Sequence, residues 1–138
     1  MNKFILITAC LLASSSAARA GACETNFAMS GVPMLTAISF KTWASMPKVK
    51  PDVALTRLAQ AVAAEGFSGI QVNKQLGSVD AHQETTGSGR LQTLRIVARP
   101  SGTGTRVDAV FNIQQGQVTT EGAVKTGLCT IIQAAGGV

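Results

Sequence analysis

The chain has 138 residues, 46% of them hydrophobic and 14% charged, with a formal net charge of +5. That length accommodates one domain. Its Lys and Arg residues are scattered singly along the chain, which reads as a solvated surface and argues against a nucleic-acid partner.

Residues 1–20 have the three parts of a cleavable signal peptide. Met1-Asn2-Lys3 is a short positive start, Phe4 to Ala13 is an unbroken apolar run, and Ala18-x-Ala20 offers small residues to the peptidase. The run is too short for a bilayer, which needs about 20 apolar residues, so no transmembrane segment is expected in the mature chain. Removing Lys3 and Arg19 leaves ten basic against seven acidic residues over 21–138, a net charge of +3. The expected address is the periplasm. A lipoprotein is the alternative. Lipidation of Cys23 would follow Ala20-Gly21-Ala22, which lacks the leucine usual three places before the cysteine. Lipidation of Cys10 would follow Ile7-Thr8-Ala9 but leaves only a short apolar run before it. An outer-membrane anchor is therefore not favoured.

The mature chain keeps Cys23 and Cys129. An even count in an oxidising compartment predicts a disulfide between them. Neither a Cys-x-x-Cys spacing nor a neighbouring histidine favours a reactive thiol.

Residues 21–33, with Gly31 and Pro33, read as an irregular or edge segment. Met34 to Trp43 reads as a strand with Met34, Thr36, Ile38 and Phe40 on one face. A Pro-rich loop spans 46–51. Asp52 to Glu65 reads as a helix because Leu55, Leu58, Ala59 and Val62 recur at helical spacing, and Gly66 ends it. Gly69–Leu76 and Ser78–Glu84 read as strands broken by Gly77. Leu91–Arg99 and Thr105–Gln114 form the clearest hairpin. Pairing Arg99 with Arg106 sets Leu94 against Phe111, Ile96 against Ala109 and Ala98 against Val107, all on one face. Thr119 or Thr120 caps a final helix whose stripe is Val124, Leu128, Ile131, Ile132 and Ala135. The order is β-α-β-β-β-β-α. It predicts one α+β domain over 21–138, a two-layer sandwich of about five antiparallel strands with both helices on one face.

The run Ala54 to Phe67, the hairpin through Gly77 and the amphipathic last helix resemble the small domains of BamC-like bacterial envelope lipoproteins. That resemblance covers the order of elements over most of the mature chain. It implies a non-enzymatic module that binds other envelope proteins, and it transfers no functional residues.

A search for chemistry finds little. His82 is the only histidine, flanked at strand spacing by Asp80 and Glu84, which makes a weak candidate metal site. No Gly-x-Ser-x-Gly elbow occurs in the mature chain. Gly87-x-Gly89 and Gly102-x-Gly104 fall in hairpin loops rather than opening helices, so they read as turn residues and imply no phosphate-bearing cofactor. An enzyme is not expected. Trp43 beside Lys41, and Arg95 and Arg99 on an outward strand face near Asp108, are the candidate partner-binding residues. The leading expectation is an interaction or accessory protein of the cell envelope whose partner is another envelope protein. Two alternatives stand beside it. One is a periplasmic binding protein holding a small apolar ligand between helix and sheet, in space left by Ala59, Ala63, Ala98 and Ala109. The other is an inhibitor or immunity protein of a secreted toxin.

Overall fold

Alternation between Gln92 and Ile113 builds the centre of the sheet. In the computed structural model, which describes residues 21–137, β5 (Gln92–Ser101) and β6 (Gly104–Ile113) form a hairpin. The signal peptide read over residues 1–20, Cys10 with it, lies outside the described residues. Leu94 faces Phe111, Ile96 faces Ala109 and Ala98 faces Val107, the register expected from the pattern. All six are buried. A slip of one residue would turn all six out to water, which is why the pattern specifies the pairing.

Before this hairpin come α1 (Ala22–Thr25), β1 (Ala28–Ser30), β2 (Ile38–Met46), α2 (Pro51–Ala64), β3 (Ser68–Asn73) and β4 (Ser78–Gln83). After it comes α3 (Glu121–Ala134). The sheet is antiparallel throughout, in the order β1-β2-β6-β5-β4-β3. It therefore has six strands among the described residues where about five were expected. The additional strand is β1, a three-residue edge inside the segment read as irregular. The additional helix is the single turn α1.

The first long strand differs from expectation at its start. Met34 to Ala37 lie outside β2, and Met34 and Thr36 are exposed rather than facing the core. Met34 has φ 68°, a left-handed conformation that no strand residue adopts. Val32 to Thr36 closes instead into a turn, with Leu35 and Thr36 N–H both donating to the Val32 carbonyl. β2 begins at Ile38 and runs on to Met46, so Trp43 stands in mid-strand rather than at its end. β3 is also shorter than expected. A bulge between Ser68 and Gln71 bends it, and it stops at Asn73, whose Oδ1 accepts from Leu76 N–H to start the turn.

Helices α2 and α3 lie on the same face of the sheet and touch each other. Leu55, Leu58 and Val62 of α2 and Val124, Leu128, Ile131 and Ile132 of α3 are buried against it. Pro51 opens α2, where its missing N–H is harmless. Thr120 caps α3 by accepting from Ala123 N–H. These helices and the inward side chains of the strands make the two-layer α+β core.

One end of this sandwich gathers the segments 31–37, 84–91 and 114–120, which leave paired strand ends such as Ile38 and Ile113. It is called the loop end below. The opposite end holds the segments 47–50, 74–77 and 102–103, and is called the turn end.

Candidate functional site

Helix α3 and the sheet do not close fully on each other near the loop end. A cavity of about 210 Å³ lies there, walled by Phe67, Phe111, Val124, Leu128 and Ile131. Phe67 follows the end of α2 and meets Phe111 of β6 edge to face, with ring centroids 6.2 Å apart. Glu65, Gln83 and Thr119, which are less buried, supply a polar border. Gln83 is held in place by donating to the buried Gln92 at 2.7 Å.

Gly127 is the telling residue of this cavity. It sits in the middle of the 14-residue α3 and lines the space. A glycine there destabilises a helix by roughly 0.5–1 kcal/mol relative to alanine. Helix-interior glycines are usually needed for close approach of a neighbour. Beyond its own helix, however, no atom lies within 4 Å of the position a Cβ would take at Gly127. The glycine therefore borders open space and relieves no contact, as does the exposed Gly122 of the same helix. The alanines expected to leave a cavity do not line this one. Ala98 and Ala109 are packed in the core, and Ala63 is exposed.

The four candidate partner-binding residues do share a surface. Lys41, Trp43, Arg95 and Arg99 all point from the sheet face opposite the two helices, since each alternates with buried neighbours on its strand. Trp43 is half-buried beneath the Arg106 guanidinium, 4.0 Å from the ring centroid. Arg106 also forks onto Asp108 through Nε and Nη2. Arg99 reaches the same carboxylate at 3.2 Å. Arg95 pairs not with Asp108 but with Asp80, directly across from it on β4, at 2.5 Å. That hydrogen bond and charge raise the Arg95 pKa above its ordinary value. These exposed pairs are worth about 0–1 kcal/mol each. They make an ordered polar face but no catalytic grouping.

Asp80 and His82 lie on this same outer face, with the His82 ring packed over Gly69 at the bulge. Glu84 falls beyond the strand end. Its carboxylate accepts from the N–H and hydroxyl of Thr86, which hold its pKa below the ordinary value. Among the described residues, no group of three His, Cys, Asp or Glu side chains is placed to hold a metal ion. Gly87, Gly89 and Gly102 all have positive φ in loops between strands, consistent with turn residues.

Cys23 and Cys129 form the expected disulfide, with Cα atoms 5.6 Å apart, joining α1 to the middle of α3. The bridge fits an oxidising compartment outside the cytoplasm. α1 in turn covers the free edge of β2 beyond its pairing with β1. Thr42 Oγ1 donates to the Cys23 carbonyl at 2.5 Å, and Asn26 Nδ2 donates to the Trp43 carbonyl at 3.0 Å. Among the described residues, no helix is long and apolar enough to cross a membrane.

No family model matches the chain, and no curated protein does. Among solved structures, the fold is similar to that of Ara h 8.0201, with a TM-score of 0.53 and 9% identity over 73% of this chain and 96% of that one. TTHA0849 from Thermus thermophilus overlaps 72% of this chain and 94% of its own at 10% identity. Its TM-score of 0.39 carries no argument. The first likeness concerns the fold alone.

Reasoning from sequence missed the residues of the cavity. Phe111 and Leu128 read as core, which they also are, and Phe67 reads as an apolar residue packing back on the last turn of the first long helix. The one available sign was Gly127, a helix breaker inside an otherwise regular apolar stripe.

Proposed function

We propose that this protein is an exported, non-enzymatic binding protein for a small apolar ligand, working in the periplasm. The observation that supports this reading is the space between α3 and the sheet, bordered by Gly127 and lined by two phenylalanines and three aliphatic side chains. Ligand sites are typically concave, mostly apolar and bordered by a few polar groups. At about 210 Å³ the cavity suits a compact molecule. Glu65, Gln83 and Thr119 would orient its polar end. The Cys23–Cys129 bridge supports the periplasmic address and argues against Cys23 as a lipid anchor, because one sulfur cannot serve both.

The test is titration with a neutral apolar fluorophore such as N-phenyl-1-naphthylamine. The wild type is expected to bind it with a blue shift. Gly127→Leu, which fills the cavity, is expected to lose binding at least tenfold while melting no lower than wild type. Unchanged binding by that variant would sink the reading.

A second reading follows the outer face. Lys41, Trp43, Arg95 and Arg99 present one ordered polar surface, which supports docking of another envelope protein, the role that the BamC-like resemblance implies. An envelope partner that co-purifies with wild type but not with Trp43→Ala would favour it.

A further inference from the structure

Glu24 differs from the other acidic side chains. Its Oε1 accepts from Gln133 Nε2 of α3 at 3.3 Å. Its Oε2 is sealed from solvent and, alone among the side-chain polar atoms of the described residues, is buried without a hydrogen-bond partner. No Lys or Arg among the described residues lies within ion-pair distance of it. Leaving a carboxylate oxygen buried and unpaired costs free energy, so such an atom calls for a partner.

Gly21 lies against that oxygen. A Cβ placed on Gly21 would stand 2.7 Å from Glu24 Oε2, so a side chain there would have to push the carboxylate away. The next group out is the Gln133 amide nitrogen at 3.9 Å, which is uncharged. The Gly21 nitrogen is bonded to the same Cα, which brings it within roughly 5 Å of the oxygen. Gly21 is held in place, because its carbonyl accepts from both the N–H and the hydroxyl of Thr25, each at 3.1 Å. In the uncleaved chain this nitrogen is a neutral amide, whose single hydrogen has its direction set by the peptide plane. It makes no bond to Oε2. After cleavage behind Ala20 the same nitrogen becomes an α-ammonium, with a full positive charge and hydrogens that turn freely about one bond.

We infer that removal of the signal peptide supplies the missing partner: the Gly21 α-ammonium pairs with Glu24 Oε2 and fastens the mature N-terminus to α3. The inference rests on cleavage after Ala20 and is independent of the cavity. It gives α1 two fasteners of different kinds. Cys129 and Gln133 are one helical turn apart on α3, so the disulfide from Cys23 and the hydrogen bond to Glu24 grip the same stretch of helix. The disulfide forms in an oxidising compartment, and the ammonium exists only once the signal peptide has been removed. Both therefore complete the fold after export.

The test compares processed wild type with Glu24→Gln, with a chain carrying one serine inserted between Ala20 and Gly21, and with the two changes combined. The insertion keeps the cleavage site and moves the ammonium one residue away from Glu24. Intact masses establish where each mature chain begins, and wild type is expected to begin at Gly21. In denaturant titration the insertion should lower the folded-to-unfolded ratio by roughly tenfold, the effect of losing one charge-assisted hydrogen bond. It should have no such effect in the Glu24→Gln background. NMR titration of the α-amino group adds a readout that packing alone does not move. Its pKa should lie above the ordinary range of about 7.7–8.0 in wild type and return to it in Glu24→Gln and in the insertion. A mature chain that begins elsewhere than Gly21 overturns the inference. So does an insertion that costs nothing, or costs the same without Glu24. Equal α-amino pKa values in wild type and Glu24→Gln, the result if a water or an ion satisfies Oε2 instead, overturn it as well.

Discussion

The turn end and the loop end of the sandwich close the same strands in different ways. At the turn end, segments 47–50, 74–77 and 102–103 are only as long as reversal of the chain requires, and they expose Lys48, Lys50 and Lys74 beside a single large apolar side chain, Leu76. At the loop end, segments 31–37, 84–91 and 114–120 are longer than a reversal needs and carry Leu35, Leu91 and Val118 in the open. Folding requires short turns, whereas recognition uses loops held by a rigid scaffold. The difference fits the proposed reading, in which the loop end borders the cavity and serves binding.

The largest test of that division lies between the two ends. Cys23→Ser with Cys129→Ser removes the bridge that fastens α1 to α3 across a separation of 106 residues. In the chain-entropy account this lowers stability by about 4–5 kcal/mol, measurable by denaturant titration. It should weaken both ends together, and an unchanged midpoint would mean that the core alone holds α1 in place.

A smaller effect separates the ends. Gly77, at the turn end, has φ 66°, and a Cβ there would overlap the Ala98 carbonyl. Gly77→Ala is expected to destabilise by about 1–3 kcal/mol, combining backbone strain with that collision. At the loop end, Gly127→Ala is expected to stabilise by about 0.5–1 kcal/mol, since it improves the helix and meets open space. Thermal melts of the two alanine variants should therefore move in opposite directions. If Gly127→Ala destabilised the protein, the space beside it would not be a cavity.

The smallest expected effect is a pH dependence local to the loop end. The hydrogen bonds from Thr86 depress the Glu84 pKa below its ordinary 4.5. A depressed carboxyl stabilises the fold fully above its unfolded pKa. That contribution is lost as pH falls through the lower folded value. Acid titration should therefore loosen the 84–91 loop in wild type, read from amide shifts at Thr86, and Glu84→Gln should abolish the response.

Legibility of this protein in its sequence varied with how local the information was. The β5–β6 register was readable because six apolar residues alternate on one face, and a one-residue slip turns a strand's apolar set to water. The disulfide was readable from an even pair of cysteines and the expectation of an oxidising compartment. The start of β2 was misread because Met34 and Thr36 continue the alternation of Ile38 and Phe40. Alternation cannot reveal that a turn closed by Thr36 occupies those positions. Arg95 was correctly placed on an outward face, but its partner Asp80 belongs to the neighbouring strand β4, whose register no local pattern specified.

By itself, then, the sequence determined the α+β class, the hairpin, the two long helices and the cysteine pair, because each depends on periodicity or on residue type. Tertiary structure alone decided the cavity and the apolar loop end. Phe67, Phe111 and Leu128 look the same in sequence whether they close on one another or stand around a space, and only the packing of α3 against the sheet distinguishes the two. Leu35, Leu91 and Val118 are far apart in the chain and become one surface only because strand pairing brings their loops to the same end.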